Sequence, residues 1–237
     1  IALLSSILFV IACKTLPSLT AHLDRPRHGN IFQHILAMAR ERTHLQAFAF
    51  MSLMMMGGFT VIPYIALYMT SNVGVPESFI AVVYLCGGAA TLFTSQLVGR
   101  MADKHGKLKV FQFLAFASFV PLLITTHLVP LPLWLVLINS TMFFILVSGR
   151  MIPAMAMVSA VALPQARGIY MSLVSSVQML SSGVATLIAG LIITRNPAGQ
   201  VEHYNIVGYV AVACGLLTIW LAYHLRVAPA APDRPSA

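Results

Sequence analysis

The sequence predicts an all-α fold, a polytopic bundle of membrane helices, and three features of the chain carry that prediction. Only 8% of residues are charged while 59% are hydrophobic, with a mean hydropathy of +0.87; soluble domains carry roughly 25% charged residues. The apolar residues fall into blocks of about twenty, the length at which an α-helix crosses a hydrocarbon core of ~30 Å. Lys and Arg alternate between connections: five in 14–43, none in 71–77, four in 99–109, none in 128–130, then Arg150 and Arg167, Arg195 alone in 194–204, and Arg226 and Arg234 in the tail. This is the positive-inside pattern, and it places 14–43, 99–109 and the C-terminus in the cytoplasm. The net charge of +8 is thereby accounted for by the lipid bilayer, and no nucleic acid partner is expected.

In chain order, residues 1–13, "IALLSSILFVIAC", are apolar but too short to span alone. Without a basic n-region they read as the end of a preceding transmembrane helix and not as a signal peptide. Residues 14–45 form a cytoplasmic connector. Within it "DRPRHGN" is a breaker, Asn30 and Gln33 have capping-box spacing, and Ile31, Ile35, Met38 and Leu45 recur at near-helical intervals. An amphipathic helix along the membrane face is expected there, with Arg40, Glu41 and Arg42 toward water or headgroups. Six full spans follow, at 46–70, 78–98, 108–127, 131–150, 168–193 and 205–225, making 46–226 a six-helix transmembrane unit. Residues 227–237 are expected to be a disordered cytoplasmic tail.

Within the spans, Gly57 and Gly58, the run Gly87 to Ala90, the series Ser182, Thr186 and Gly190, and the pair Ala211 and Gly215 are small enough to let helices approach closely in lipid. Pro63, Pro121 and Pro153 each remove a backbone hydrogen bond and are expected to bend their helices. Spans 108–127 and 205–225 are almost uniformly apolar and are expected on the lipid-facing outside.

Polar residues form stripes on other spans. Thr60, Tyr64 and Tyr68 stay within about 80° of one another at 100° per residue, and Ser175, Gln178 and Ser182 form a second band. Asn139 and Arg150, eleven residues apart, return to nearly one azimuth about 16 Å along the axis, with Phe143 and Leu146 between them. Thr60, Tyr64, Tyr68, Asn139, Phe143, Arg150, Ser175 and Gln178 are the candidate cavity residues. Each has a plainer reading. Arg150 closes a span that starts at Leu131, so it either snorkels to the cytoplasmic surface or attracts an anion. Gln178 either joins neighbouring helices or contacts a solute, and Tyr64 and Tyr68 suit an interfacial anchor as well as a cavity.

Several chemistries are excluded. Cys13, Cys86 and Cys214 each stand alone in apolar runs. All eight histidines lie in connections or at span ends. No metal or other cofactor is expected. Asp24, Glu41, Asp103, Glu202 and Asp233 lie in connections or tail and Glu77 at a span mouth, so no nucleophile, base and acid can be assembled within the membrane. An enzyme is not expected.

The charges bunch at "GRMADKHGKLK", residues 99 to 109. A phosphate-binding loop would need G-x-x-x-x-G-K-[ST] between a strand and a helix; here Lys107 is followed by Leu108 and both flanks are membrane runs. The stretch instead resembles the signature loop of the major facilitator superfamily, G-x-x-x-D-[RK]-x-G-x-[RK]-[RK], through Gly99, Asp103, Lys104, Gly106 and Lys109. Arg100 and Lys107 are additional cations, and Leu108 departs from the pattern. "MMGGFTVIPYIALYMTSNVGVPES" and "LPQARGIYMSLVSSVQMLSSGVATLIAG" look like the drug-proton antiporter and arabinose-efflux-permease group of that superfamily.

The resemblance implies the second half of a twelve-helix carrier, from the end of helix 6 through helix 12, whose partner is an N-terminal six-helix half absent from this sequence. It implies a small-molecule substrate moved by alternating access between two rocking halves, with proton-coupled efflux as the first expectation, nutrient uptake by symport or uniport as the alternative, and a non-transport membrane protein behind both. It further implies that Asp103 latches the cytoplasmic side closed, a gating role expected of Gly99 too; from the charge pattern, Lys104, Lys107 and Lys109 are expected to set topology at the anionic inner leaflet. A location in the bacterial inner membrane follows from the same resemblance.

Overall fold

The structure is a computed structural model that describes residues 41–162 and 166–225. The expected end of a preceding helix at 1–13, the connector up to residue 40 and the tail at 227–237 lie outside the described residues. Six helical stretches are long and apolar enough to cross a membrane.

The first span, Arg42–Val73, is not one helix. Helix α1 (Arg42–Phe59) gives way to a 3-10 turn at Ile62–Tyr64, a short α2 (Ile65–Tyr68) and a π-helical turn at Met69–Val73, ended by Gly74 at φ 78°. Pro63 is the cause, because it has no N–H to offer the Phe59 carbonyl. The chain tightens around it through Val61 N–H to Gly58 O and Tyr64 N–H to Val61 O, both 3.1 Å. The stripe expected from an unbroken 100° period is therefore interrupted between Thr60 and Tyr64.

The second span is α3 (Glu77–His105) and the third α4 (Lys107–Thr126). Glu77 in the first turn of α3, and Lys104 and His105 in its last, complement the helix dipole. Gly106 alone separates the two helices, at φ 92° and ψ 136°, a conformation that a side chain makes costly. The stretch 99–109, expected as a loop, is thus helical on both sides of one residue, because Lys and Arg are good helix formers when their heads reach water.

Helix α5 (Leu133–Gly149) and α6 (Met151–Val161) form the fourth span and meet at Arg150. The expected boundary at 150 falls short, since a charge taken to mark the water interface lies inside a span that runs to Val161. The fifth span is α7 (Arg167–Ile192) and the sixth α8 (Tyr204–His224). Between them a two-stranded hairpin pairs β1 (Thr194–Arg195) with β2 (Val201–Glu202). The Asn72 side chain bonds both the N–H and the C=O of Val201 at 2.8 Å, as a third strand would.

Helix α1 packs on α7 and α8, α5 packs on α3 and α4, α8 lies against α4, and α1 touches α6. This pattern maps onto itself when the first span is exchanged with the fourth, the second with the fifth and the third with the sixth. Close approach is bought with small residues: a Cβ on Gly57 would stand 3.2 Å from the Ala211 carbonyl, and Gly208 and Gly215 face Thr126 and Phe119. The spans 108–127 and 205–225 pack against each other on one face and expose large apolar residues, Phe113, Phe116, Val120, Trp220 and Tyr223 among them, on another.

Candidate functional site

The first and fourth spans, exchanged by the pattern above, are each interrupted two to three residues ahead of a proline: at Val61 before Pro63, and at Arg150 before Pro153. Both interruptions border one cavity of about 320 Å³, lined by Met54, Met55, Gly58, Phe59, Ile62, Val147, Ser148, Arg150, Met151, Gln178, Met179 and Ser182. Paired interruptions of this kind are where membrane carriers place binding sites.

Arg150 lies about 25 Å along the fourth span from Leu133 and about 16 Å from Val161, at 1.5 Å per residue. It is 4% exposed, so the snorkelling reading does not hold for this structure. Its Nη1 donates to Ser118 Oγ on α4 at 3.4 Å, and its Nη2 would stand 4.0 Å from a Cβ on Gly58. Ser118 in turn donates to Ala115 O at 2.7 Å. Across the cavity Gln178 directs Nε2 at Met155 Sδ, 3.7 Å away.

The other candidates are distributed differently. Asn139 shares the Arg150 azimuth, as expected, but the stripe faces α4: its Nδ2 donates to Thr125 Oγ1 at 2.8 Å, and Thr125 donates to Pro121 O. Phe143 is buried between them in the core. Thr60 is buried and bonds its own helix at Met56 O, while Tyr68 donates to Leu128 O and packs its ring at a tilt against Tyr204. Ser175 is exposed on α7 and bonds Met171 O. Tyr64 lines a second, broader hollow of about 700 Å³ with Pro63, Ser182, Thr186 and Gly190. There Thr186 Oγ1, which donates to Ser182 O at 2.9 Å, also stands 3.4 Å from the Phe59 carbonyl that Pro63 leaves free, and Tyr64 donates to Thr186 O at 3.2 Å.

Half of the cavity residues that sequence reasoning passed over are methionines, Met54, Met55, Met151 and Met179, which look like ordinary span filler. Ser118 carried a signal: it stands seven residues before Thr125, two turns on an otherwise apolar helix, matching the two donors on the facing span.

At the Gly106 end, Arg100, Asp103, Lys104, Lys107 and Lys109 are all exposed, and Gly99 has open space where a Cβ would stand. Asp103, Gly106, Lys107 and Lys109 border a hollow of about 560 Å³ with Met157 of α6. The one ion pair among the described residues is His44 with Glu41, at 3.0 Å, so Asp103 is not paired with the lysines beside it. Among the described residues no three His, Cys, Asp or Glu are grouped to hold a metal ion.

The family model of the Major Facilitator Superfamily matches residues 47–237. The chain belongs to the major facilitator superfamily. A search of curated proteins finds no match. Members of the superfamily are transporters rather than enzymes, so this is a multi-pass transporter in a lipid bilayer that acts on a small molecule.

Proposed function

We propose that this transporter is a secondary active carrier of small organic solutes, working by alternating access and driving efflux with protons. The observation that carries the reading is the cavity at the two interruptions: flexible, polarizable methionines give an adaptable apolar wall, and Arg150 and Gln178 supply the few polar groups that orient a solute. In this reading a second six-helix half completes the cavity, and 99–109 and the C-terminal end face the cytoplasm of a bacterial inner membrane. Proton coupling and efflux draw on the likeness of 55–78 and 163–190 to the drug-proton antiporter group. The proton-carrying carboxylate is assigned to the other half, since the described acids Glu41, Glu77, Asp103 and Glu202 all lie at span ends or in connections.

Asp103 serves as the latch. Exposed and free of an ion pair, it is available to a partner on the other half when the cytoplasmic side closes. The test is transport of a solute panel by the full-length protein in proteoliposomes, with and without a proton gradient. Efflux-direction movement that collapses with the gradient is expected, and Asp103→Asn should lower it several-fold with normal membrane insertion. Gradient-independent equilibration would point instead to a nutrient uniporter, and undiminished transport by Asp103→Asn would remove the latch.

A further inference from the structure

A charge without a partner sits in the middle of the fourth span. The Arg150 guanidinium has five N–H donors, yet it makes one hydrogen bond, at 3.4 Å, to a neutral hydroxyl that is itself donating elsewhere. It takes no part in an ion pair among the described residues. At 4% exposure the guanidinium meets the outside only through the cavity, and a charge held that deep is costly, so such groups face a partner or a pathway. The remainder of the cavity offers no counter-charge: Gln178 and Ser182 are neutral, and the methionines are apolar.

Resting on the carrier reading, we propose that this cavity takes a small amphipathic organic anion. Its carboxylate or sulfonate docks on the Arg150 guanidinium, and its apolar body lies among Met54, Met55, Met151 and Met179. The planar fork of arginine matches an oxyanion with two parallel hydrogen bonds, where lysine would supply only a point charge. A neutral solute would leave the charge uncompensated, and a cationic one would meet repulsion at low dielectric. The volume, about 320 Å³, is at the small end of ligand pockets.

The test uses the full-length protein in nanodiscs of zwitterionic lipid and three probes, 4-phenylbutyrate, octanoate and octanesulfonate, each paired with its uncharged amide. Calorimetric titration of the wild type is expected to show each acid binding at least about tenfold more tightly than its amide. Arg150→Met should abolish the preference, and Arg150→Lys should retain only part of it. Because the wild-type ratio needs no variant, a misfolded Arg150→Met leaves the comparison intact. Acids and amides binding equally, no acid binding at about 10 mM, or a preference that survives Arg150→Met would each overturn the proposal. Equal binding is also the result if a carboxylate elsewhere in the protein already neutralises Arg150. Proteoliposome transport of the amides without any preference for the acids would keep the carrier reading and discard the anion. Transport of none of the probes or of the wider solute panel would discard the carrier reading, and the acid-to-amide ratio alone would then decide the anion site.

Discussion

At the residue scale, Tyr64 and Gly190 make a close contact that the bend in the first span creates. The Tyr64 hydroxyl reaches the Thr186 carbonyl only because residue 190 has no side chain; a Cβ there would stand 2.7 Å from that hydroxyl. Gly190→Ala is expected to destabilise the protein by about 1–2 kcal/mol, read as a lower melting temperature in detergent. Tyr64→Phe added to Gly190→Ala should recover part of the loss, since it removes the clashing oxygen. Strictly additive losses in the double variant would show that the two residues do not meet. The sequence marks Gly190 as small and Tyr64 as polar, but that one makes room for the other depends on how two helices approach, which no spacing within either span encodes.

At the element scale, Pro63 decides the shape of the first span. Pro63→Ala would restore an N–H for the Phe59 carbonyl, which now has the Thr186 hydroxyl 3.4 Å away, shared with Ser182 O at 2.9 Å. A more regular helix should raise thermal stability while lowering transport several-fold, the usual trade when a bend serves function. Unchanged transport would make the bend incidental. Span number and approximate position are legible because lipid enforces about twenty apolar residues per crossing. Irregularities inside a span are less so: the π-helical turn at Met69–Val73 leaves no compositional mark, and Arg150 reads as a boundary because its cost at depth argues for the surface. The Asn139 and Arg150 azimuth was legible, whereas the neighbour it faces was not, since hydroxyls on α4 and an open cavity make the same demand on a polar stripe.

At the scale of the whole molecule, the six spans form two groups of three, the first with the fifth and sixth and the fourth with the second and third. The groups meet where the sixth span crosses the third. Gly208 is at that crossing, and a Cβ would collide with Thr126. Gly208→Val is therefore expected to cost about 2–3 kcal/mol, seen as early unfolding in detergent, while Gly88→Val, with open space around it, should change little. Equal effects would mean that the crossing does not hold the groups together. This architecture is invisible to a reading span by span, because polar residues are few and the pairing rests largely on where small residues of one helix meet bulky ones of another.

The fourth span is fastened to the third at two heights, by Asn139 to Thr125 and by Arg150 to Ser118. The contact beside the cavity is the longer of the two, 3.4 Å against 2.8 Å, so the third span is held more firmly where Asn139 reaches it than where the guanidinium does. If an anion docks as proposed, it competes with the weaker tie and leaves the stronger one in place.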